Sequence, residues 1–387
     1  MVDRSNTATS DFDVILISNG FQVEYEVGFT NGLSRCGLRP LLVCSDNLLL
    51  ERLESGVKTL NLRGSQRSDR SFFQKAINIF RYWVKLWRLI RSHRGRPVHL
   101  IGLFSLPSTW AGLLEALALR LASEHFVLTV HNVLPHNAHN PMNRWLYRLI
   151  YKLPYKLVVH TPRTGKTLQT EFGVSAGKVV VMEHGIDRLA PTSMVGRRWL
   201  ARHLELPPGR QVVMFFGNVS RYKGLDILVA ALVDNPNALN AVLVVAGACL
   251  DRELRAEISP GLTHLIGQGR ARWVDGFVPE EQVLDYFHGA DALVMPYRAI
   301  DQSGVVFLAL ATGLPVVATN VGSLADYVPL TGGKVVEPGN ADDLLVGLQA
   351  VLAFSRPVDR SVRVQAASRF LWSHTALAVL PAYGWRT

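Results

Sequence analysis

Short apolar runs, each followed by a turn or a polar residue, recur along the first half of the chain. They cover residues 13–18, 40–44, 98–103, 126–130, 157–160 and 179–183. None alternates strictly between apolar and polar positions, and such continuous runs are typical of strands in a parallel sheet covered on both faces. Helical spacing between the runs predicts helices, the first around Glu24–Cys36. The first half is therefore predicted to alternate strands and helices.

The second half restarts the same rhythm. Its apolar runs predict strands over residues 211–216, 241–246, 272–274, 292–295 and 315–318. Pro191 and small polar residues interrupt the chain between 187 and 194, which marks the predicted domain boundary. Repeated βα units predict an α/β protein of two doubly wound, Rossmann-like domains facing a cleft. We assign residues 1–190 to the first domain and residues 191–360 to the second.

The segment Asp301–Ser323, DQSGVVFLALATGLPVVATNVGS, combines two small-residue loops with a helix and a strand. The first loop precedes the apolar helix, and the second follows the strand at 315–319. Because the first turn of a helix has no internal partners for its backbone N–H groups, those of Ser303, Gly304 and Val305 would point outward. This arrangement favours binding of a phosphate or a sugar ring.

A second glycine-rich turn follows the first strand of the second domain. The strand ends at Phe216, and the turn Gly217–Gly224, GNVSRYKG, leads into a helix from Leu225. Arg221 offers a planar fork of donors, Lys223 offers a point charge, and the helix N-terminus adds its dipole. The turn is therefore predicted to clamp a diphosphate, with an ordinary charged βα loop as the alternative.

The charge distribution separates the two domains. The net charge is +10, and the whole excess of Lys and Arg lies within residues 1–190. Residues 70–114 and 125–170 contain no acid at all. Such blocks favour an anionic partner surface, either membrane lipid or nucleic acid, with a solvated basic face as the alternative. The basic residues match no nucleic-acid-binding module, so no nucleic-acid partner is predicted.

One helix in this basic region has its own pattern. The predicted helix Phe72–Ser92 places Trp83 and Trp87 on an apolar side and five Lys or Arg residues around the remainder. This pattern favours an anionic membrane interface, and a surface helix that faces the core is the alternative. Three cysteines without a spaced pair, and no apolar leader, add the expectation of a reduced, cytoplasmic protein peripheral to the inner face of the membrane.

The turn at 217–226, G-x-x-x-R-Y-K-G-L-D, resembles the donor-phosphate loop of GT-B glycosyltransferases of family 4, also called group 1. Further segments resemble that family in the same order, namely residues 275–281, 290–297, 301–323 and 332–340. This resemblance covers about 140 residues of the second domain. In the first domain it is looser and rests on residues 128–132, 158–161 and 183–187.

The resemblance implies a GT-B fold and a role for each matching residue. Arg221 and Lys223 would hold the diphosphate of a nucleotide-sugar, and His131 would contact its sugar. Gly20 would allow close approach to the donor or the acceptor. The remaining positions implied at the donor site are Gly217 in the phosphate loop, the backbone of Phe277 and Val278 at the base, and the amides of Ser303, Gly304 and Val305. The resemblance also implies that residues 361–387 hold a last helix, 361–383, that crosses back onto the first domain.

The chain departs from the family at one pair of positions. Many relatives carry two glutamates eight positions apart, where this sequence has Ile300 and Leu308. Asp301 is the acid nearby that could serve the sugar instead, and a subgroup with a Q-S-G-V start is similar to this segment. The donor segments contain no D-x-D metal site, so metal independence and no cofactor beyond the donor are expected. His131, His136 and His139 lack the spacing of a metal-ligand pair.

These features together predict a hexosyltransferase-type glycosyltransferase. It would move a sugar from a nucleoside diphosphate-sugar to a membrane-associated acceptor, such as a lipid-linked saccharide in polysaccharide or glycolipid synthesis. The first domain would bind the acceptor and the membrane, and the second the donor. Two alternatives stay open, a catalytically silent scaffold or binding subunit and a sugar-nucleotide epimerase on the same fold.

Overall fold

The structure is a computed structural model, and two compact units make up the chain. It describes residues 11–20, 22–46, 48, 50–64, 71–103, 110–134, 140–190, 193–354 and 357–385. The chain passes from the first unit to the second after Asp187, and it returns to the first unit at Phe370. The first transition lies three residues from the predicted boundary, whereas the return begins nine residues later than predicted.

The first unit contains a seven-stranded parallel sheet. Its strands are β1 Val14–Ile17, β2 Pro40–Cys44, β3 Lys58–Asn61, β4 Val98–Leu100, β5 Phe126–Val130, β6 Lys156–Val159 and β7 Val179–Val181. They lie in the order β3-β2-β1-β4-β5-β6-β7, so the winding direction reverses between β1 and β4. The exposed edge strand β3 was missed from the sequence because all four of its residues face solvent and include no apolar run.

Helices cover both faces of this sheet. The main ones are α1 Val23–Arg35, α2 Phe72–Ser92, α3 Trp110–Ala122, α4 Pro141–Lys152 and α5 Pro162–Phe172. Buried side chains of α2, α3, α4 and α5 form one core with one face of the sheet. Those of α1 and the returning C-terminal segment form a second core with the opposite face. No helix in the described part of the chain is long and apolar enough to cross a membrane.

The second unit repeats this architecture with six parallel strands. They are β8 Gln211–Phe216, β9 Ala241–Ala246, β10 Ala271–Val274, β11 Ala292–Met295, β12 Val316–Thr319 and β13 Lys334–Val336. Their order, β10-β9-β8-β11-β12-β13, reverses between β8 and β11. Its helices are α6 Met194–His203, α7 Leu225–Asp234, α8 Arg252–Gly267, α9 Glu280–Gly289, α10 Gly304–Thr312, α11 Leu324–Tyr327, α12 Ala341–Phe354 and α13 Pro357–Ala366. The predicted pair of doubly wound, Rossmann-like domains is thereby confirmed.

The C-terminal return is not the single helix predicted over 361–383. Helix α13 ends in the second unit, and the return then consists of α14, Trp372–Thr375, and a 3₁₀ helix, Ala376–Tyr383. Trp372 anchors this segment in the first unit. A Cβ at Gly28 would lie 2.2 Å from the Trp372 indole nitrogen, and one at Gly185 would lie 2.1 Å from the same ring. Only glycines permit this approach, which explains why the indole is fully buried.

Helix α2 also differs from the sequence prediction. Tyr82, Leu86 and Ile90 are buried in the core of the first unit, and Trp83 and Trp87 pack against that core. The tryptophans expected at a membrane interface therefore cover the protein's own interior. The alternative interpretation, a surface helix with a core-facing side, describes most of α2.

Candidate functional site

The carboxyl ends of β8 and β11 meet where the strand order of the second unit reverses. Open α/β sheets bind ligands at such switch points, because the flanking loops diverge there and leave a crevice. The loop after β8 contains the turn 217–224, and the loop after β11 contains residues 296–303. The sequence-predicted donor residues of these two loops are therefore brought to one edge of the sheet.

Lys223 is the buried cation at this switch point. Its side chain is 8% exposed, and its Nζ lies 5.9 Å from the centroid of the Tyr297 ring. A Cβ at Gly217 would lie 2.8 Å from Nζ, so the glycine leaves room for the ammonium. Within the described part of the chain, Nζ has no hydrogen-bond acceptor and no carboxylate partner. Burial lowers the pKa of Lys223 to about 8.

Arg221 occupies a different environment from Lys223. Its guanidinium forms an ion pair with Glu257 of α8 at 2.9 Å, and about half of each side chain is exposed. The hydrogen bond and charge of Glu257 raise the pKa of Arg221. Exposed pairs of this kind contribute little to stability because solvent screens them, so Arg221 can exchange this partner at little cost.

The sequence did not reveal that Arg298 braces the phosphate turn. Its guanidinium binds both carboxylate oxygens of Asp226 in the first turn of α7, one of them at 2.8 Å. It also donates to the Arg221 carbonyl at 2.8 Å, and the Arg298 backbone N–H donates to the Tyr222 carbonyl at 2.7 Å. A fork of donors that meets one carboxylate and one turn carbonyl fixes the orientation of the turn.

The two loops of the segment 301–323 contact each other directly. The backbone N–H and the hydroxyl of Ser323 both donate to the Asp301 carbonyl at 3.0 Å. A Cβ at Gly322, where φ is +54°, would lie 1.8 Å from the Ile300 carbonyl oxygen. The second loop thus requires glycine to pack beneath the first, and the contact holds Asp301 at the start of the α10 loop.

The N-terminus of α10 is partly capped by its own residue. Ser303 is 8% exposed, and its hydroxyl accepts a 3.4 Å hydrogen bond from the Val305 N–H. Gly304 is exposed, and a Cβ there would meet no atom within 4 Å. Of the three amides predicted to face a ligand, that of Val305 thus points to the Ser303 cap, while the space over Gly304 is open.

The predicted base-reading residues follow β10. Phe277 is 87% exposed, whereas Val278 is buried. The preceding Asp275 accepts from Arg255 at 2.8 Å, and that guanidinium lies 5.0 Å from the centroid of the Trp273 ring. The hydrogen bond from Arg255 lowers the pKa of Asp275. This cluster fixes the loop that presents the exposed Phe277 ring.

In the first unit, Gly20 lies in a loop organised by a buried carboxylate. Glu26 is fully buried, and its carboxylate accepts from the Asn19 N–H at 2.8 Å, the Gly20 N–H at 3.1 Å and the Ser18 hydroxyl at 2.5 Å. The φ of Gly20 is +77°. These two amides therefore face the protein and are already bound by the Glu26 carboxylate.

His131 lies after β5, and both of its ring nitrogens face protein atoms. Nε2 donates to the Ile101 carbonyl at 2.7 Å, and Nδ1 lies 3.2 Å from Nε2 of His160. Nδ1 of His160 donates to the Met182 carbonyl at 2.9 Å. With both rings neutral, the two N–H groups are used by these carbonyls. Nδ1 of His131 and Nε2 of His160 then face each other with their lone pairs, and an additional proton would bind between them.

These two rings belong to a larger aromatic cluster around Tyr25. Its ring contacts those of His131, His160, His184 and Trp372 at centroid distances of 4.7 to 5.4 Å. Burial lowers the pKa of His160 to about 4 and that of His184 to about 3, and it also lowers the pKa of His131 well below its usual range. The cluster therefore holds its histidines neutral at pH 7.

No group of three or more potential metal ligands occurs among the described residues. His136 and His139 lie outside the described residues.

Two family models match the two halves of the chain. The model "Glycosyltransferase Family 4" matches residues 27–188, and the model "Glycosyl transferases group 1" matches residues 210–353. The curated relatives include D-inositol 3-phosphate glycosyltransferases. That of Nocardiopsis dassonvillei is 28% identical over 59% of this chain and 55% of its own length, and that of Nocardia farcinica is 30% identical over 59% and 52%. The chain spans about half the length of these relatives.

Similar folds occur among solved glycosyltransferases. Anabaena HepE in complex with UDP and glucose has a TM-score of 0.72 at 18% identity, with 96% of this chain and 99% of that chain covered. WaaG, a glycosyltransferase involved in lipopolysaccharide biosynthesis, has a TM-score of 0.64 at 15% identity, with 96% and 100% covered. At these identities the likeness shows the fold alone. Each family model matches one structural unit, so both halves of the chain are similar to group 1, family 4 glycosyltransferases, and the chain has their GT-B fold.

Proposed function

We propose that the protein transfers a sugar from a nucleoside diphosphate-sugar to an acceptor hydroxyl, and that the second unit binds the donor. The observation that carries this proposal is the buried ammonium of Lys223, which has no acceptor within the described part of the chain. A buried charge without a partner is unfavourable, and an anionic ligand removes that cost. The position of Lys223 at the switch point between β8 and β11 is where such a ligand binds in open α/β sheets.

The chemistry requires a cation at the leaving group. The bond between the anomeric carbon and the phosphate oxygen breaks, and the nucleoside diphosphate leaves with the bonding electrons. The acceptor oxygen forms the new bond to the anomeric carbon and releases its proton. Lys223 would stabilise the negative charge that develops on the diphosphate, so no divalent cation is required in this proposal. The exposed Phe277 ring offers a stacking face for the base.

We place the acceptor on the first unit, at the inner face of the membrane. The whole positive excess of the chain lies in that part of the sequence, and a lipid-linked saccharide or glycolipid acceptor lies on an anionic surface. Gly20 and His131 lie at the carboxyl edge of the first sheet. The edge of the His131 ring would contact the donor sugar. Asp301 on the second unit is the acid proposed to bind that sugar.

A binding and turnover assay tests this proposal. UDP-, GDP- and ADP-sugars are compared by thermal shift, and transfer to a membrane lipid extract is then measured with the donor that stabilises the protein. Lys223→Ala should abolish both the shift and transfer, whereas Lys334→Ala, an exposed lysine of the same unit, should leave both unchanged. Gly304→Val should weaken donor binding, because the open space above the glycine would be filled.

The outcomes separate the alternatives. An undiminished shift with Lys223→Ala would contradict the assigned donor site. Donor binding without turnover would favour a silent scaffold, and donor conversion without any acceptor would favour an epimerase.

A further inference from the structure

A continuous apolar surface lies on the outer side of α3 and α4 in the first unit. On α3 the exposed side chains follow one another at spacings of four, three and four residues, so they form one stripe along the helix. We call this surface the α3–α4 face and define it by Trp110, Leu114, Leu117 and Leu121 of α3 with Met142 and Trp145 of α4. Their exposed fractions range from 40% to 64%.

The two helices present these side chains together. The Trp110 and Trp145 rings contact each other with their centroids 5.5 Å apart, so α3 and α4 share one outer surface. The opposite sides of both helices pack into the core of the unit, through residues such as Leu119 and Ile150. The apolar side chains of the α3–α4 face are therefore surplus to the core, and a contiguous exposed patch of this kind marks a binding surface.

The charges around this face select its partner. Helices α2, α3 and α4 carry five, one and three Lys or Arg residues, respectively. Their single acid, Glu115, is 2% exposed. Five basic residues of the neighbouring α2 are exposed, and so are Ile79 and Phe80 near its beginning. The outer layer of the first unit is thus apolar and cationic, with no exposed acid on these three helices.

We propose that the α3–α4 face is the surface by which the protein inserts into an anionic lipid bilayer, with the basic residues of α2 lying over the headgroups. Leu side chains enter the acyl boundary, and Trp side chains are favoured at the interface between the two environments. A second copy of the chain is disfavoured as the occupant, because two identical cationic faces repel each other. A nucleic acid would leave the leucine stripe without a partner.

This inference deepens the proposed membrane location of the acceptor, and it rests on that proposal for its biological setting. The inference and the sequence prediction assign different side chains to the membrane. The sequence favoured the tryptophans of α2, but Trp83 and Trp87 pack against the core. The structure leaves Trp110 and Trp145 on the outside instead.

Vesicle flotation with the full chain tests the surface. The wild type should bind vesicles containing phosphatidylglycerol and phosphatidylcholine more tightly than pure phosphatidylcholine vesicles, and added salt should weaken binding. The double variant Leu114→Asp/Leu121→Asp should partition roughly tenfold or more weakly, since it removes from the bilayer contact two leucines that are exposed in the free protein. Val346→Asp, at a comparably exposed position on α12 of the second unit, should bind as the wild type does.

Tryptophan quenching by brominated lipids distinguishes α3–α4 from α2. Quenching should be lost in Trp110→Phe/Trp145→Phe and retained in Trp83→Phe/Trp87→Phe. The reverse pattern would overturn the proposal in favour of α2, as would unchanged flotation of the aspartate variant. If that variant instead changes the oligomeric state measured by sedimentation, the face is a protein interface and the proposal is wrong.

Nucleotide binding separates this test from that of the proposed function. The aspartate variant should keep its far-ultraviolet circular dichroism and its thermal shift with a nucleoside diphosphate, because the face is remote from Lys223 in the chain and belongs to the other unit. Loss of flotation with retained nucleotide binding supports the surface. Flotation of the wild type together with absent nucleotide binding by the wild type would contradict the proposed donor site alone.

Discussion

In the first unit, burial keeps three histidines neutral within an aromatic cluster, whereas in the second unit the ammonium of Lys223 is buried at the switch point. The two sheets have the same parallel, doubly wound topology. The same scaffold therefore supports two kinds of site, and the side chains at the strand ends decide which. A packed, neutral cluster stabilises its own unit, while a buried cation without an acceptor is suited to bind an anion.

The largest expected effect concerns the anchor of the first unit. Trp372→Ala should lower the free energy of unfolding by about 3–5 kcal/mol, since it empties the space between the glycines that enclose the indole. Urea unfolding measures this loss. Trp145→Ala, which removes an exposed indole of the same unit, should cost far less. Equal effects of the two substitutions would contradict the role of Trp372 as the anchor.

The next largest effect is expected from acid, which should destabilise the first unit more than the second. Burial lowers the pKa of His99 and His184 to about 3 and that of His160 to about 4, while their unfolded values lie near 6.5. The unfolded state therefore binds more protons between pH 6.5 and pH 4, and the first unit loses stability as the pH falls through that window. Each group contributes up to roughly 1.4 kcal/mol per pH unit.

Hydrogen exchange, corrected for the intrinsic rate at each pH, measures this difference between units. Peptides from β5 and β6 should lose protection at pH 5 before peptides from β8 and β9. In the second unit, burial lowers the pKa of His288. Simultaneous loss of protection in both units would contradict the comparison.

Loss of the Asp226–Arg298 ion pair, which orients the phosphate turn, should have a smaller effect. Asp226→Asn keeps the size of the side chain but removes the charge that orients Arg298. A hydrogen bond between charged groups contributes about 1.5–3 kcal/mol, so nucleoside diphosphate affinity should fall about tenfold or more as the turn loosens. Calorimetric titration measures this affinity. Unchanged affinity would show that the turn keeps its orientation without the carboxylate.

The smallest effect is expected at Arg221. Arg221→Ala should weaken nucleoside diphosphate binding by about threefold at most, because solvent screens an exposed cation that is already paired with Glu257. The titration used for Asp226→Asn provides the comparison. A loss as large as that of Lys223→Ala would restore the symmetric clamp predicted from the sequence.

The strands and the phosphate turn could be predicted from the sequence because their signals are local. The predicted bounds of β2, β5, β8, β9 and β11 agree with the structure. Edge strand β3 was missed because its residues are exposed and its pattern is not apolar. The single C-terminal helix was wrong because Leu371, which has extended backbone and pairs with Ile186, interrupts the segment. Its anchor, Trp372, also depends on glycines more than 180 residues away.

The partners of the candidate site residues could not be predicted in the same way. Arg221 meets Glu257, and Asp226 meets Arg298, only after α8 and β11 are packed beside the turn. The stripe on α3 has helical spacing in the sequence, but an apolar helix does not reveal which of its sides faces the core. Those facts depend on tertiary packing, which no local pattern records.

The pH dependence of nucleoside diphosphate binding tests the central claim, that the charged Lys223 ammonium binds the donor phosphates. Burial lowers the pKa of Lys223 to about 8, so the free protein loses this charge between pH 7 and pH 9. Calorimetric titration should show affinity about tenfold weaker at pH 9, with proton uptake on binding. Lys223→Arg should show neither change beyond the ligand's own titration. Equal affinity of the wild type at pH 7 and pH 9, without proton uptake, would contradict the account.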